Sequence, residues 1–301
     1  SGQDTDFLMG NVSFEQDIDS NLTIQLKTHY WKNHLEFQFP NLSPYIPLFG
    51  IPTHTIFQSS SEYRAGVEFI VKQPDNAFNT QWVMEAGIDQ SEIVSGRYER
   101  INPQDVTINT ETLGFIGKKR TLSHFLAQAR TSFYDDQILL TYGARLDHYS
   151  DVNNHISPRL GLVYKGNSQW TQKLLFGHAY RAPTAAEQYS TGVAIGDPNI
   201  EPETIETFEY INIYQSPHYQ FESVLFYSDW KNAIALVKQT TSNGAINIYQ
   251  NSTENHSQGI ELNLRSHIGL TNINGQLSYV ESENVTNQVD YVAFPNWIAS
   301  F

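Results

Sequence analysis

The sequence predicts an all-β fold, a transmembrane antiparallel β-barrel. Three observations carry that prediction. Long segments alternate apolar and polar side chains with a period of two, the period of a strand with two different faces. Those segments run to ten or more residues, where soluble strands average five or six, and about ten tilted residues cover a bilayer's apolar band. The links between them are short on one side and mostly long on the other, as in outer-membrane barrels.

The alternation is plainest between Asp136 and Pro183. Ile138, Leu140, Tyr142, Ala144 and Leu146 point one way, and Gln137, Thr141, Gly143, Arg145 and Asp147 the other. Next along the chain, Ile156, Leu160, Leu162 and Tyr164 oppose Ser157, Arg159, Gly161 and Lys165. In order, strands are predicted at 5–15, 21–31, 61–72, 80–92, 119–133, 137–149, 156–166, 170–181, 204–215, 219–237, 246–267, 271–282 and 295–301. That makes about thirteen strands. Tight links are read at Gln16–Ser20, Gln73–Asn79, Tyr134–Asp136, Gly166–Gln169, Ser216–His218 and Ser266–Leu270. The opposite links, at 32–60, 93–118, 182–203, 238–245 and 283–294, are longer, with 150–155 the short exception. The stretch AFPNWIASF at the end reads as the start of a further strand.

Composition narrows the class. Thirty-two acidic residues against 18 basic ones give a formal charge of −14, which argues against a nucleic-acid binder, since that needs a basic patch. Mean hydropathy is −0.42, and no run approaches a membrane-spanning helix. A membrane barrel tolerates this, since every second strand residue faces lipid. The 17 Tyr, 17 Phe and 5 Trp suit strands and interfacial girdles; Tyr30, Trp31, Trp82, Tyr149, Trp170, Tyr180, Tyr214 and Trp230 fall near strand ends. Cysteine is absent, so disulfide scaffolds and thiolate metal sites are excluded.

Sites of chemistry are sparse. Glu187, Glu203 and Glu206 lack the defined separation that paired catalytic carboxylates need. Ser157 and Ser190 have no nucleophile-elbow context. His148 and His155 flank a turn beside Asp147 and Asp151, but no spacing sets two of them on one face as metal ligands. No enzyme, cofactor or metal centre is predicted. Arg145, Arg159, Arg181, Lys173, Glu261 and Arg265 fall on the polar strand faces, as a lumen wall requires, while His178 shares the apolar face of Leu174 and Phe176.

A resemblance adds to this reading. Gly143, Arg145 and Asp147, then Ser157, Pro158, Arg159 and Gly161, then Tyr180, Arg181 and Pro183, then Pro198, Asn199, Ile200, Pro202 and Glu203 with Glu209 beyond, resemble in order and spacing the barrel motifs of TonB-dependent outer-membrane receptors. GIDQSE at Gly87–Glu92 and QGIELNL at Gln258–Leu264 resemble further family segments. The resemblance implies a barrel of about 22 strands with a plugged lumen, of which 1–301 is a domain of about thirteen, cut at both ends, with no plug domain recognised. It implies a monomer in the Gram-negative outer membrane, partnered by lipid, by the TonB complex through a plug, and by a scarce ligand. A ferric siderophore leads; cobalamin, haem and glycans are the other ligands of the family. Haem receptors of the family carry a histidine between the two loop motifs, and 184–196 has none. Tyr45, Phe49, Arg181, Glu187 and Tyr189 are the candidate ligand contacts in the loops. The alternatives are a passive porin-like channel, an outer-membrane barrel enzyme and a soluble β-sandwich.

Overall fold

A computed structural model describes residues 2–41, 54–74, 78–101, 107–111, 113–191, 194–241, 244–286, 289–290 and 295–301. The strands are β1 (Gly2–Asp19), β2 (Leu22–Asn41), β3 (His54–Gln73), β4 (Thr80–Ile101), β5 (Thr107–Glu111), β6 (Lys119–Phe133), β7 (Ile138–Tyr149) and β8 (His155–Lys165). They continue as β9 (Trp170–Arg181), β10 (Ala194–Ile195), β11 (Glu203–Gln215), β12 (Tyr219–Thr241), β13 (Gly244–Ile268), β14 (Thr271–Asn284), β15 (Val289–Asp290) and β16 (Trp297–Ser300). One short helix, α1 (Ala185–Tyr189), interrupts them. All lie in one sheet in which chain neighbours pair antiparallel, β1-β2-β3-β4-β6-β7-β8-β9-β11-β12-β13-β14. The small strands are appendages: β5 on β4, β15 and β16 on β14, and β10 parallel to β13. Among the described residues β1 pairs only with β2, so the sheet is open.

Each of the predicted strands is present, the last one as β16 against Gln276–Tyr279. The main difference is length. β2, β3, β4, β12 and β13 span 20, 20, 22, 23 and 25 residues, so much of 32–60, 93–118 and 238–245 is strand. About ten residues cross a bilayer, and the rest of each such strand stands beyond it as a raised wall. There both faces meet water, and polar side chains such as Gln239 and Thr240 lose the alternation that marks a strand in sequence.

The two faces are chemically opposite. One rung runs Tyr142–Leu160–Phe176–Phe208–Tyr227 across five strands, all apolar or aromatic. Tyr142, Leu160 and Phe208 are 43, 49 and 50% exposed, which no water-facing apolar stripe of this width tolerates. The neighbouring rung on the other face runs Gly143–Arg159–Gly177–Thr207–Ser228. Arg145, Lys173, Arg181, Glu261 and Arg265 share that polar face, as expected. His178 on the apolar face is satisfied, its Nδ1 donating to the Ile156 carbonyl at 3.1 Å. Pro158 sits where pairing of β8 with β9 stops, since their ladder begins at Arg159 and proline has no N–H to contribute.

Turn chemistry closes the short-link end. Gly269, at φ +61°, makes the two-residue turn between β13 and β14. At the turn joining β11 to β12, Trp170 meets Tyr214 edge-on and Tyr214 meets Tyr219 at a tilt, with ring centroids 4.7 and 5.5 Å apart, an aromatic border where strands leave the apolar band.

Candidate functional site

The long-link end holds the packed core among the described residues. Tyr98, Leu113 and Phe115 are buried there, and Ala185, Ala186 and Tyr189 of α1 pack against them. The helix forms because Thr184 and Glu187 make a capping box: Thr184 Oγ1 accepts from the Glu187 amide at 3.2 Å, and Glu187 Oε2 accepts from the Thr184 amide at 2.7 Å. Five residues are too few for a helix to stand alone, so side chains of the wall hold it.

Two clamps do so. Arg181 donates through Nη1 and Nη2 to the Glu187 carboxylate at 2.9 and 3.1 Å, and through Nε to Glu203 at 2.7 Å. Glu203 Oε1 also accepts from the Ile234 amide at 2.7 Å, beside the β12 bulge where Asn232 has φ +55°. Burial works to raise the Glu187 pKa, but the Arg181 guanidinium and the Thr184 amide outweigh it and hold the carboxyl below its usual range. On the opposite side Arg120 donates to Asp151 at 2.9 and 3.0 Å and to Gln188 Oε1 at 2.7 Å. Gln188, 1% exposed, completes the link by donating to the Asp151 carbonyl at 3.2 Å.

Between α1 and the raised wall of β3, β4 and β6 lies a cavity of about 380 Å³. Lys118, Lys119 and Arg120 line one side of it, Glu62 and Ser91 another, and Tyr189 the helix side. The Lys118 ammonium stands 4.3 Å over the Tyr189 ring, within cation–π range. Burial, with Asp151 nearby, raises the Tyr189 phenol and keeps it a neutral donor. Larger hollows of about 550 and 560 Å³ lie along the β7–β12 wall; the second is lined by Leu160, Leu174 and Phe208 of the apolar face and belongs to the lipid surface. The smaller cavity is the one that combines enclosure, charge and aromatics at the loop end.

The predicted residues divide accordingly. Arg181, Glu187 and Tyr189 come together around α1; the first two serve the clamp and the third faces the cavity. Tyr45 and Phe49 lie outside the described residues. Asp147, 2% exposed, takes Arg145 Nε at 2.9 and 3.1 Å. Arg159 stands between Gly143 and Gly177 on the polar face and shares a groove with Glu209. Pro183 and Pro202 are buried at the two ends of the loop; Asn199 donates its amide to Asp197 Oδ1 at 2.9 Å in the turn that buries Ile200. Sequence reasoning missed Lys118–Arg120. Three adjacent cations in so acidic a chain were the available signal.

The model of the family described as TonB dependent receptor-like, beta-barrel matches residues 1–301. The chain belongs to the TonB-dependent receptor family. It is similar in sequence to the iron-regulated outer membrane virulence protein of Vibrio cholerae serotype O1, 31% identical over 137 residues, 43% of this chain and 19% of that protein. It is also similar to the heme/hemopexin utilization protein C of Haemophilus influenzae, 26% identical over 168 residues, 44% of this chain and 24% of that protein. Among solved structures, the copper transporter OprC superposes with TM-score 0.74 at 13% identity, covering 97% of this chain and 48% of OprC. The ferric yersiniabactin uptake receptor FyuA of Yersinia pestis superposes with TM-score 0.67 at 12% identity, covering 97% of this chain and 46% of FyuA. These two show a shared fold. The chain spans about half of those structures and a quarter or less of the curated relatives. As a TonB-dependent receptor barrel it resides in the Gram-negative outer membrane, and its family is one of receptors, not enzymes.

One prediction concerns the seat of the helix. A Cβ on Gly196 would come within 2.6 Å of the Gln188 carbonyl carbon and the Tyr189 amide nitrogen. Backbone cannot yield as a side chain can, so Gly196→Ala is expected to cost about 1–3 kcal/mol locally. Faster amide exchange over 185–190, with the strands unchanged, would register the displaced helix.

Proposed function

We propose that this barrel belongs to an importer of an anionic iron chelate, of the ferric-siderophore class, energised by the TonB complex. The observation that carries the reading is the cationic, aromatic-backed cavity at the long-link end. Lys118 has no ion pair among the described residues and offers its ammonium to an anion beside the Tyr189 ring, while Lys119 is held by Glu92 and Arg120 by Asp151; an ammonium gives charge-assisted bonds to oxyanions. Similarity to an iron-regulated outer-membrane protein supports iron as the cargo. The open sheet supports completion of the wall by strands outside this stretch, because lipid tolerates no unpaired edge. In this reading 1–301 is one barrel domain cut at both ends. The plug contributed by the rest of the protein meets TonB, and the complete receptor works as a monomer surrounded by lipid. Arg181 and Glu187 act on the ligand indirectly, by seating Tyr189 and α1.

The test is uptake of radiolabelled iron by iron-starved cells expressing the whole receptor, supplied as catecholate, hydroxamate or carboxylate chelates or as haem. TonB-dependent uptake of one anionic chelate is expected, with Lys118→Ala/Lys119→Ala raising the half-saturating concentration about tenfold, the worth of one or two charge-assisted bonds. Uptake of haem alone, or iron uptake indifferent to TonB, would overturn the reading.

A further inference from the structure

Lower on the polar face, one rung runs Lys27–Glu68–Gly87–His124–Asp147 across β2, β3, β4, β6 and β7. Gly87 stands between Glu68 and His124, and a side chain there would strike the His124 ring. The gap lets groups on non-adjacent strands see each other. Glu85, two residues along β4, turns into the same space, and its Oε1 lies 3.0 Å from His124 Nε2. One ligand atom from each of Glu68, Glu85 and His124 lies within 4.8 Å of the others.

A further observation points to a cation. Glu68 has no hydrogen bond or ion pair among the described residues, although it faces a second carboxylate. The His124 side chain is 1% exposed and its Nε2 faces the Glu85 carboxylate, so a ligand nitrogen is fixed at the cluster. Arg145 offsets only part of the charge: its Nη1 stands 3.5 Å from Glu85 while its Nε is committed to Asp147.

We propose that Glu68, Glu85 and His124 form a divalent transition-metal site on the inner wall, one imidazole and two carboxylates with water completing the shell. An N/O donor set of this kind suits Zn²⁺ or its first-row neighbours better than Ca²⁺, which takes oxygen alone. On metal binding Nε2 gives up its contact with Glu85 to the ion, and Arg145 keeps Asp147. His124 begins five residues into β6 from Lys119, roughly 16 Å along the strand, so the site is separate from the loop-end cavity.

The test is Zn²⁺ competition against a chromogenic chelator, with Co²⁺ absorption as a second readout, on the whole receptor in detergent. Wild type is expected to bind one equivalent more tightly than Glu68→Gln by tenfold or more, and to give visible Co²⁺ bands that the variant loses. Glu68 has no partner to lose, so the substitution leaves folding intact, and heat-modifiable mobility on gels checks this; Glu85→Gln is the second variant. His267→Asn, at the β13 end, leaves the tight equivalent in place. Equal Zn²⁺ binding in wild type and both glutamate variants, or no binding at micromolar metal, would overturn the site.

Discussion

Leu160→Arg is expected to lower the stability of the folded receptor by about 2–4 kcal/mol, the depth-dependent cost of a guanidinium on the lipid face near the midplane. Leu160 is the middle residue of β8 (His155–Lys165), is 49% exposed, and pairs with Tyr142 and Phe176 on the apolar face. Its neighbour Arg159 stands one residue away on the other face, so β8 already carries this side chain where the lumen accepts it. The experiment is a urea titration of the whole receptor folded into phospholipid vesicles. The control is Leu160→Met, a volume-conserving swap that should cost under about 1.5 kcal/mol. If the Arg and Met variants unfold at the same urea concentration, the apolar face does not meet lipid and the assignment of faces is wrong.

That prediction rests on what the sequence made legible. Alternation with a period of two is imposed by the bilayer itself, because each membrane-crossing residue meets either lipid or the lumen. Residues 138–146 and 156–164 therefore announced both their strand and their faces. Above the membrane the constraint lapses. Water meets both sides of β12 and β13 beyond Val237, and KQTTSNGA reads as a loop although Lys238–Thr241 end β12 and Gly244 and Ala245 begin β13. The helix α1 is equally hidden: AAEQY is too short to show a helical period, and only the Thr184–Glu187 capping spacing marks it.

The site was legible as a list of residues, not as an arrangement. Arg181, Glu187 and Glu203 could be picked from motifs, but their union into one clamp depends on β9 and β11 pairing Arg181 with Glu203 across 22 residues of chain. The cations Lys118–Arg120 meet Tyr189 only because α1 folds back over β6, and nothing local to either segment says so. The Glu68–Glu85–His124 cluster is more remote still, assembled from three strands across a glycine. Strand register is the information that a single sequence supplies least directly, since it resides in pairs of segments.

Register also makes Glu203 the position where one substitution is expected to loosen the whole loop end. Its carboxylate is 11% exposed and serves two elements at once, Arg181 Nε on β9 and the Ile234 amide past the β12 bulge. Glu203→Ala orphans that amide, at about 1–3 kcal/mol, and removes one charge-assisted bond from Arg181. The second loss is discounted, because the Arg181 side chain is 44% exposed and keeps Glu187. Together about 2–4 kcal/mol of local stability should go, enough to raise opening of the 182–203 loop by roughly 30- to 1000-fold. Amide exchange at Ile234 and limited proteolysis of the loop on the whole receptor read this directly. Glu203→Gln keeps an oxygen for the Ile234 amide but turns its NH2, a donor, toward the Arg181 donors. It should therefore protect Ile234 while α1 still loosens. Equal exchange at Ile234 in Ala and Gln variants would mean that the bulge holds its own shape and the carboxylate serves Arg181 alone.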